Sequence, residues 1–300
     1  MNTAKLGTGR TIGAIMASAL LFAACDPGEP NPHQTAAPVE SAPEAQQPDT
    51  SSLASNGDSE VRAVVSEEMP YAEVGDVLVY GYFVAPSDMF EPLPAIIMIH
   101  EWWGLSDDIR AAADRLAAEG YIVLAVDLFG GATASDSASA RELMLSVVED
   151  PESANANIRG AFEFVSSVAG APRVGSLGWR FGGTWALNTA MLFPDRLDAT
   201  VIYYAPVTND EDKLRPVDAP ILGHFAGDDV SVKTESVEAF KAALEALRKD
   251  FDIQIYAGVG QRFASESART YDRIAADDAW NRTLEFLERH LASDETSEGS

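Results

Sequence analysis

Hydrophobic positions between residues 71 and 292 follow two alternating rhythms. A short unbroken apolar run occurs at Ala95-Ile96-Ile97-Met98-Ile99, with the length and content of a strand buried on both faces. Residues 121–126, 174–177, 200–204, 220–225 and 251–256 read as further strands. Residues 77–84 read as a further strand or hairpin arm. Between the strands the apolar residues fall at spacings of 3 and 4. Ile109, Ala112, Ala113, Leu116 and Ala117 share one helical face, with Gly120 as a C-terminal stop. Helical stretches are predicted around 138–148 and 153–168, the second stacking Ile158, Ala161, Phe162 and Val165. The same period returns at Val237, Phe240, Leu244 and Leu247, and at Trp280, Leu284, Leu287 and Leu291. Strands alternating with helices of this length imply βαβ units, hence an α/β fold with a mostly parallel central sheet and helices on both faces. Ligands of such sheets gather at the carboxyl ends of the strands.

The chain outside this domain has a different character. Residues 1–25 read as a targeting segment: Lys5 and Arg10 precede an apolar run at 11–24 that is too short to span a bilayer comfortably. It closes on Leu21-Phe22-Ala23-Ala24-Cys25, which resembles a bacterial lipobox, so Cys25 is the expected lipid attachment site and membrane anchor. Asp26 resembles an inner-membrane retention signal. This places the protein on the periplasmic side of the cell envelope. A plain secretory signal cut after Ala23 or Ala24, giving a soluble secreted protein, is the alternative. Cys25 is the chain's single cysteine, which excludes an intrachain disulfide and a cysteine-based metal site. Residues 26–70 are rich in Pro, Ala, Ser, Gln and acidic side chains without sustained periodicity, as expected of a disordered tether. A domain at 71–292 and a polar tail at 293–300 follow. A formal charge of -26 argues against nucleic acid and anionic lipid surfaces as electrostatic partners. Its plain reading is a well-solvated surface.

The chemistry should lie just after the strands. Gly178-Trp179-Arg180-Phe181-Gly182-Gly183 has the layout of a nucleophile elbow, in which flanking glycines permit a tight strand-to-helix turn that exposes the middle residue. That residue is Arg180, whose guanidinium has only donors and stays protonated, so it cannot attack a carbonyl. The other strand ends carry His100-Glu101-Trp102-Trp103-Gly104-Leu105, Asp127-Leu128-Phe129-Gly130-Gly131, Ala226-Gly227-Asp228-Asp229 and Tyr256-Ala257-Gly258-Val259-Gly260-Gln261-Arg262-Phe263.

With these motifs in order, the chain over 71–291 resembles the dienelactone hydrolase family of α/β-hydrolases. The resemblance implies a Cys-His-Asp triad acting on cyclic enol esters and related carbonyl compounds, without metal or cofactor. Carried over position by position, the nucleophile falls on Arg180, the aspartate on Asp229 and the histidine on Gln261. The glutamate that restrains the family cysteine falls on Glu101, and the oxyanion hole on the backbone amides of Phe181 and Trp102. Gln261 cannot take and return a proton near neutral pH, which leaves Asp229 with nothing to orient. The expectation is a domain inactive by the family mechanism and acting by ligand or partner binding, the ligand being a small carbonyl compound or an anion. A hydrolase with residual activity or a nucleophile elsewhere is the alternative. Arg180 is expected to pair with Glu101 and Asp229 in a charged network filling the former pocket, or else to face solvent and bind an anion. No oligomeric state follows from the sequence.

Plainer readings attach to the remaining residues. His100 and His224 are candidates for a replacement base, weighed against packed, hydrogen-bonded histidines. Ser176 and Thr184 are expected to make local hydrogen bonds, and His290 to sit at a helix C-terminus. Trp102 and Trp103 could either stack a ligand or wall the pocket. No repeat, P-loop or metal-ligand spacing occurs.

Overall fold

The computed structural model describes residues 62–292, so the targeting segment with Cys25, the greater part of the tether and the tail lie outside the described residues. The strands are β1 (Val64–Val74), β2 (Val77–Pro86), β3 (Ala95–Ile99), β4 (Ile122–Val126), β5 (Val174–Trp179), β6 (Ala199–Tyr203), β7 (Ile221–Ala226) and β8 (Phe251–Tyr256). The helices are α1 (Asp107–Ala118), α2 (Ser137–Glu149), α3 (Pro151–Glu163), α4 (Phe181–Leu192), α5 (Glu211–Leu214), α6 (Thr234–Ala246) and α7 (Arg273–Leu291). A π-helical turn, Phe164–Val168, extends α3.

The eight-stranded sheet has the order β1-β2-β4-β3-β5-β6-β7-β8. β2 runs antiparallel to β1 and β4, and the remaining pairs are parallel. Every residue of β3, β4, β5, β6 and β7 is buried, which is why β3 reads as an unbroken apolar run. Successive side chains point to opposite faces. Ile97 and Ile99 join the core beneath α3, α4 and α6, whereas Ile96 and Met98 join the one beneath α1 and α7. Aspartates cap α2, α3 and α7: Asp136 accepts from the amides of Ala138 and Ser139, Asp150 from Ser153, and Asp272 from Ala275.

β1 corrects the expected domain boundary at residue 71, since the strand takes in residues assigned to the tether. Its apolar residues are scattered, and most of its positions are exposed. What orders it is a main-chain ladder to β2 running from Val64↔Pro86 to Val74↔Val77, closed by a turn at Gly75, whose φ is 63°. Edge-strand pairing of that kind leaves little hydrophobic signature, and Pro70 sits where the register shifts, as proline in an edge strand should.

Two features of the fold stand out near the strand ends and on the α7 side. At the start of α4, a Cβ on Gly182 would lie 2.6 Å from the His100 carbonyl oxygen and would also overlap that of Ile99. Only glycine lets the helix ride this close to the end of β3. On the α7 side, His224 of β7 is fully buried in a polar chain. Its Nδ1 lies 3.2 Å from the Tyr256 hydroxyl, which donates to Asp278 at 2.9 Å, and its Nε2 lies 3.2 Å from Thr283 Oγ1. Arg282 donates to the same Asp278 oxygen. Tyr256 spends its proton on Asp278, so His224 donates through Nδ1 and accepts at Nε2 as a neutral imidazole.

Two outcomes are expected. Gly182→Ala should lower stability by about 2 kcal/mol or more, because backbone oxygens cannot move aside cheaply; an unchanged melting temperature would contradict the packing described. Burial, with Arg282 second, pushes the His224 pKa from 6.5 down to about 3. Keeping it neutral therefore contributes fully above pH 6.5, and the contribution is lost as pH falls from 6.5 toward 3. In denaturant melts across that window, His224→Gln should lose stability less steeply than the unmodified chain, by a difference on the order of a few kcal/mol. Parallel pH slopes would contradict it.

Candidate active site

The elbow forms as its glycines predict. Arg180 joins β5 to α4 with φ 52° and ψ -112°, outside the regions comfortable for a side-chain-bearing residue, at a cost on the order of 1–3 kcal/mol. Ordinary main-chain bonds hold it there: its amide donates to the Tyr203 carbonyl at 2.9 Å, and its carbonyl accepts from Thr184 at 3.1 Å. The side chain extends across Trp102, with the guanidinium carbon 5.2 Å from the ring centre, within reach of a cation–π interaction. An arginine therefore stands where this fold presents a nucleophile.

The loop after β7 brings in Asp229, which is 6% exposed. Its Oδ1 accepts from the Ser231 amide at 2.7 Å, the Ser231 hydroxyl at 2.9 Å and the Val232 amide at 3.0 Å. Gln261, on the loop after β8, directs its Nε2 to Asp229 Oδ2 at 3.1 Å and to Ser231 Oγ at 2.8 Å. This corrects the expectation that Asp229 would have nothing to orient. Aspartate and glutamine meet as the aspartate and histidine of a triad would, but an amide NH₂ that donates to Asp229 is no proton acceptor.

Glu101 differs from its expected pairing with Arg180. It is 8% exposed, and its Oε2 lies 3.5 Å from Nε of Arg262, the residue after Gln261. Burial raises its pKa, opposed first by Arg262 and then by Arg180, so Arg180 acts on this carboxyl as the weaker of two cations. The Arg262 Nε and Glu101 Oε1 have no hydrogen-bond partner among the described residues. Arg262 adopts φ 65° and is braced by Ser265 Oγ at 3.0 Å. Sequence reasoning missed it. Its place in the 256–263 motif beside Gln261 was the available signal.

The expected oxyanion-hole amides belong to Phe181 and Trp102. Phe181 opens α4, where a first-turn amide has no partner within its helix. Its ring turns into the core against His100, Phe129 and Trp185. Trp102 is half-buried and meets Trp103 edge-on at 5.2 Å between ring centres. The Arg180 guanidinium lies over the Trp102 ring.

Neither histidine candidate reaches this edge as a base. His100 is fully buried; its Nδ1 lies 2.6 Å from the Glu101 carbonyl, and its Nε2 accepts from the Leu128 amide at 3.1 Å. A carbonyl can only accept and an amide can only donate, so the tautomer is fixed and both nitrogens are occupied. Burial holds its pKa down. His224 is committed to the α7 network. Ser176 donates to the Ala186 carbonyl and Thr184 to that of Pro206, so both hydroxyls are engaged, but by residues 10 and 22 positions away rather than by the local contacts expected. His290 packs on Phe286 in the last turn of α7. Among the described residues, no group of three or more His, Cys, Asp or Glu side chains is placed to hold a metal ion.

The comparisons with known proteins agree with this geometry. A sequence profile described as the dienelactone hydrolase family matches residues 79–291. "Protein usf" of Aquifex pyrophilus is 29% identical over 231 residues, covering 75% of this chain and 99% of that protein. A "putative carboxymethylenebutenolidase" of Escherichia coli is 30% identical over 226 residues, covering 70% of this chain and 82% of that one. Among solved structures, a putative dienelactone hydrolase from Klebsiella pneumoniae superposes with a TM-score of 0.67 at 24% identity, covering 76% of this chain and 99% of that one, a likeness of fold. With the profile spanning the sheet from β2 to the end of α7, and with the elbow, Asp229 and the glycine-bearing 256–263 loop in place along it, the chain belongs to the dienelactone hydrolase family.

Proposed function

We propose that this protein is a catalytically silent member of its family, a pseudoenzyme that acts by binding a ligand or partner. The observation that carries the reading is the side chain held by Asp229: the Gln261 amide occupies the base position at 3.1 Å, while Arg180 occupies the elbow. Each replacement removes a separate step. Without a nucleophile no acyl-enzyme forms, and without a base no proton leaves an attacking group. In a comparable triad, loss of the nucleophile alone lowers turnover by roughly a millionfold. The amides of Phe181 and Trp102 remain as donors, and the Arg180 side chain takes up volume beside them.

A second reading, a working ester or lactone hydrolase, is favoured by the name carried by the Escherichia coli relative. Turnover of p-nitrophenyl acetate separates the two. The unmodified chain should stay at the background rate, as should Arg180→Cys and Gln261→His alone, whereas the double variant should gain about a hundredfold or more. Saturable turnover by the unmodified chain would overturn the silent reading.

We further propose that Cys25 carries the lipid that tethers this domain to the periplasmic side of the cell envelope. The support is the motif 21–25 and the acidic, proline-rich stretch that follows. Cys25→Ser should move the protein from the membrane to the soluble fraction. Equal membrane association of both forms would contradict lipidation.

A further inference from the structure

A cavity of about 250 Å³ lies between α1 and α7, on the face of the sheet opposite α4. Arg180, Asp229 and Gln261 take no part in its walls. Trp179, Tyr204 and Trp280 supply aromatic surface to it, and Ile109, Ala112 and Ala276 supply aliphatic surface. A dry cavity of roughly 150 Å³ already holds benzene, so this one takes a single ring with a short substituent.

What these walls lack is an acceptor. Tyr204 is 1% exposed, and its hydroxyl makes no hydrogen bond among the described residues. Neighbouring Tyr203 differs, since its hydroxyl is engaged by Thr283 Oγ1 at 2.7 Å and the Ala279 carbonyl at 3.1 Å. The unpartnered side-chain atoms sealed from contact among the described residues are Glu101 Oε1 and Arg262 Nε, so the Tyr204 hydroxyl is open, and the opening that Tyr204 lines is this cavity. Trp179 and Trp280 are 8% and 7% exposed, and neither indole N–H has an acceptor among the described residues. A buried donor left without an acceptor is costly, and a ligand oxygen would remove that cost. Burial first, and Glu101 second, push the Tyr204 phenol well above its ordinary pKa, so the proton stays on the oxygen and is there to donate.

Charge in the walls sets the rest of the chemistry. Glu101, Asp108, Glu266 and Asp277 outnumber Arg115, which turns anions away. The Arg115 guanidinium carbon lies 4.0 Å from the centre of the Trp280 ring, so that ring already carries a cation. An ammonium, which only donates, would leave the phenol and both indole donors unanswered.

We propose that this cavity binds a small neutral ring compound bearing a ketone or amide carbonyl, whose oxygen accepts from the Tyr204 hydroxyl while its ring rests against Trp179 and Ile109. The site is separate from the elbow and stands whether or not ester turnover is lost.

Calorimetric titration of the full chain with acetophenone, ethylbenzene and benzylamine tests the proposal, since the three share a ring and carry an acceptor, no polar group and a cation respectively. Acetophenone should bind saturably and about three- to tenfold more tightly than ethylbenzene, the worth of one hydrogen bond to a neutral donor. Benzylamine should bind no more tightly than ethylbenzene. Tyr204→Phe, which removes only the phenol oxygen, should bring acetophenone down to the level of ethylbenzene. Ala276→Phe, which adds a ring to the α7 wall, should abolish binding of both. Equal binding of acetophenone and ethylbenzene by the unmodified chain, no saturable heat with acetophenone, tightest binding by benzylamine, or an acetophenone preference kept in a folded Tyr204→Phe variant would each overturn the proposal. If Tyr204→Phe fails to fold, the three-probe comparison on the unmodified chain still decides. Ester turnover is not the readout, so a negative result here leaves the silent-enzyme reading standing, and measurable esterase activity would leave this site standing.

Discussion

Close approach of α4 to the end of β3 is the constraint on which the site depends. Gly182 sits where any side chain would strike the Ile99 and His100 carbonyls, and its lack of one lets the helix rest against the end of β3. Given that position, the chain between Trp179 and Phe181 has room for one residue in a left-handed turn, and Arg180 takes it at φ 52°. The geometry is indifferent to which side chain the turn presents. The elbow therefore accommodates a guanidinium at its apex, because the strain is borne by the main chain and offset by the packing beneath it.

Charge at the strand ends is arranged around Glu101 and Asp229. Burial would leave Glu101 an uncompensated carboxylate, and two guanidiniums answer it: Arg262 at 3.5 Å, and Arg180 more weakly from its position over Trp102. Asp229 is satisfied by the Ser231 and Val232 amides and by the Gln261 side chain. Asp229 thus anchors a structural hydrogen-bond network in which the Gln261 side chain is a donor. A glutamine can inherit the aspartate contact of a histidine because the contact needs only an N–H, whereas catalysis also needs a second nitrogen free to accept.

Much of the fold was legible from pattern alone. β3 announces itself as an unbroken apolar run, since both faces of a covered parallel sheet need hydrophobic side chains, and the helices announce themselves through spacings of 3 and 4. The elbow, Asp229 and Gln261 were legible as well, because each lies at the carboxyl end of such a strand. β1 was not: its order comes from hydrogen bonds to β2, which any residue but proline can make and which leave no mark on composition. Nor could a linear reading choose between Arg180 and Arg262 as the partner of Glu101.

The chain by itself determined the α/β architecture, the presence of Arg180 in the elbow and Gln261 on the loop after the last strand, and its acidic character, because local period and side-chain type settle such things without knowledge of distance. Tertiary structure decided which cation meets Glu101, which way Gln261 points, and that His100 and His224 are neutral, fully engaged parts of the core. Those outcomes depend on separations of a few ångströms between residues far apart in sequence, set only when loops after different strands converge on one edge of the sheet.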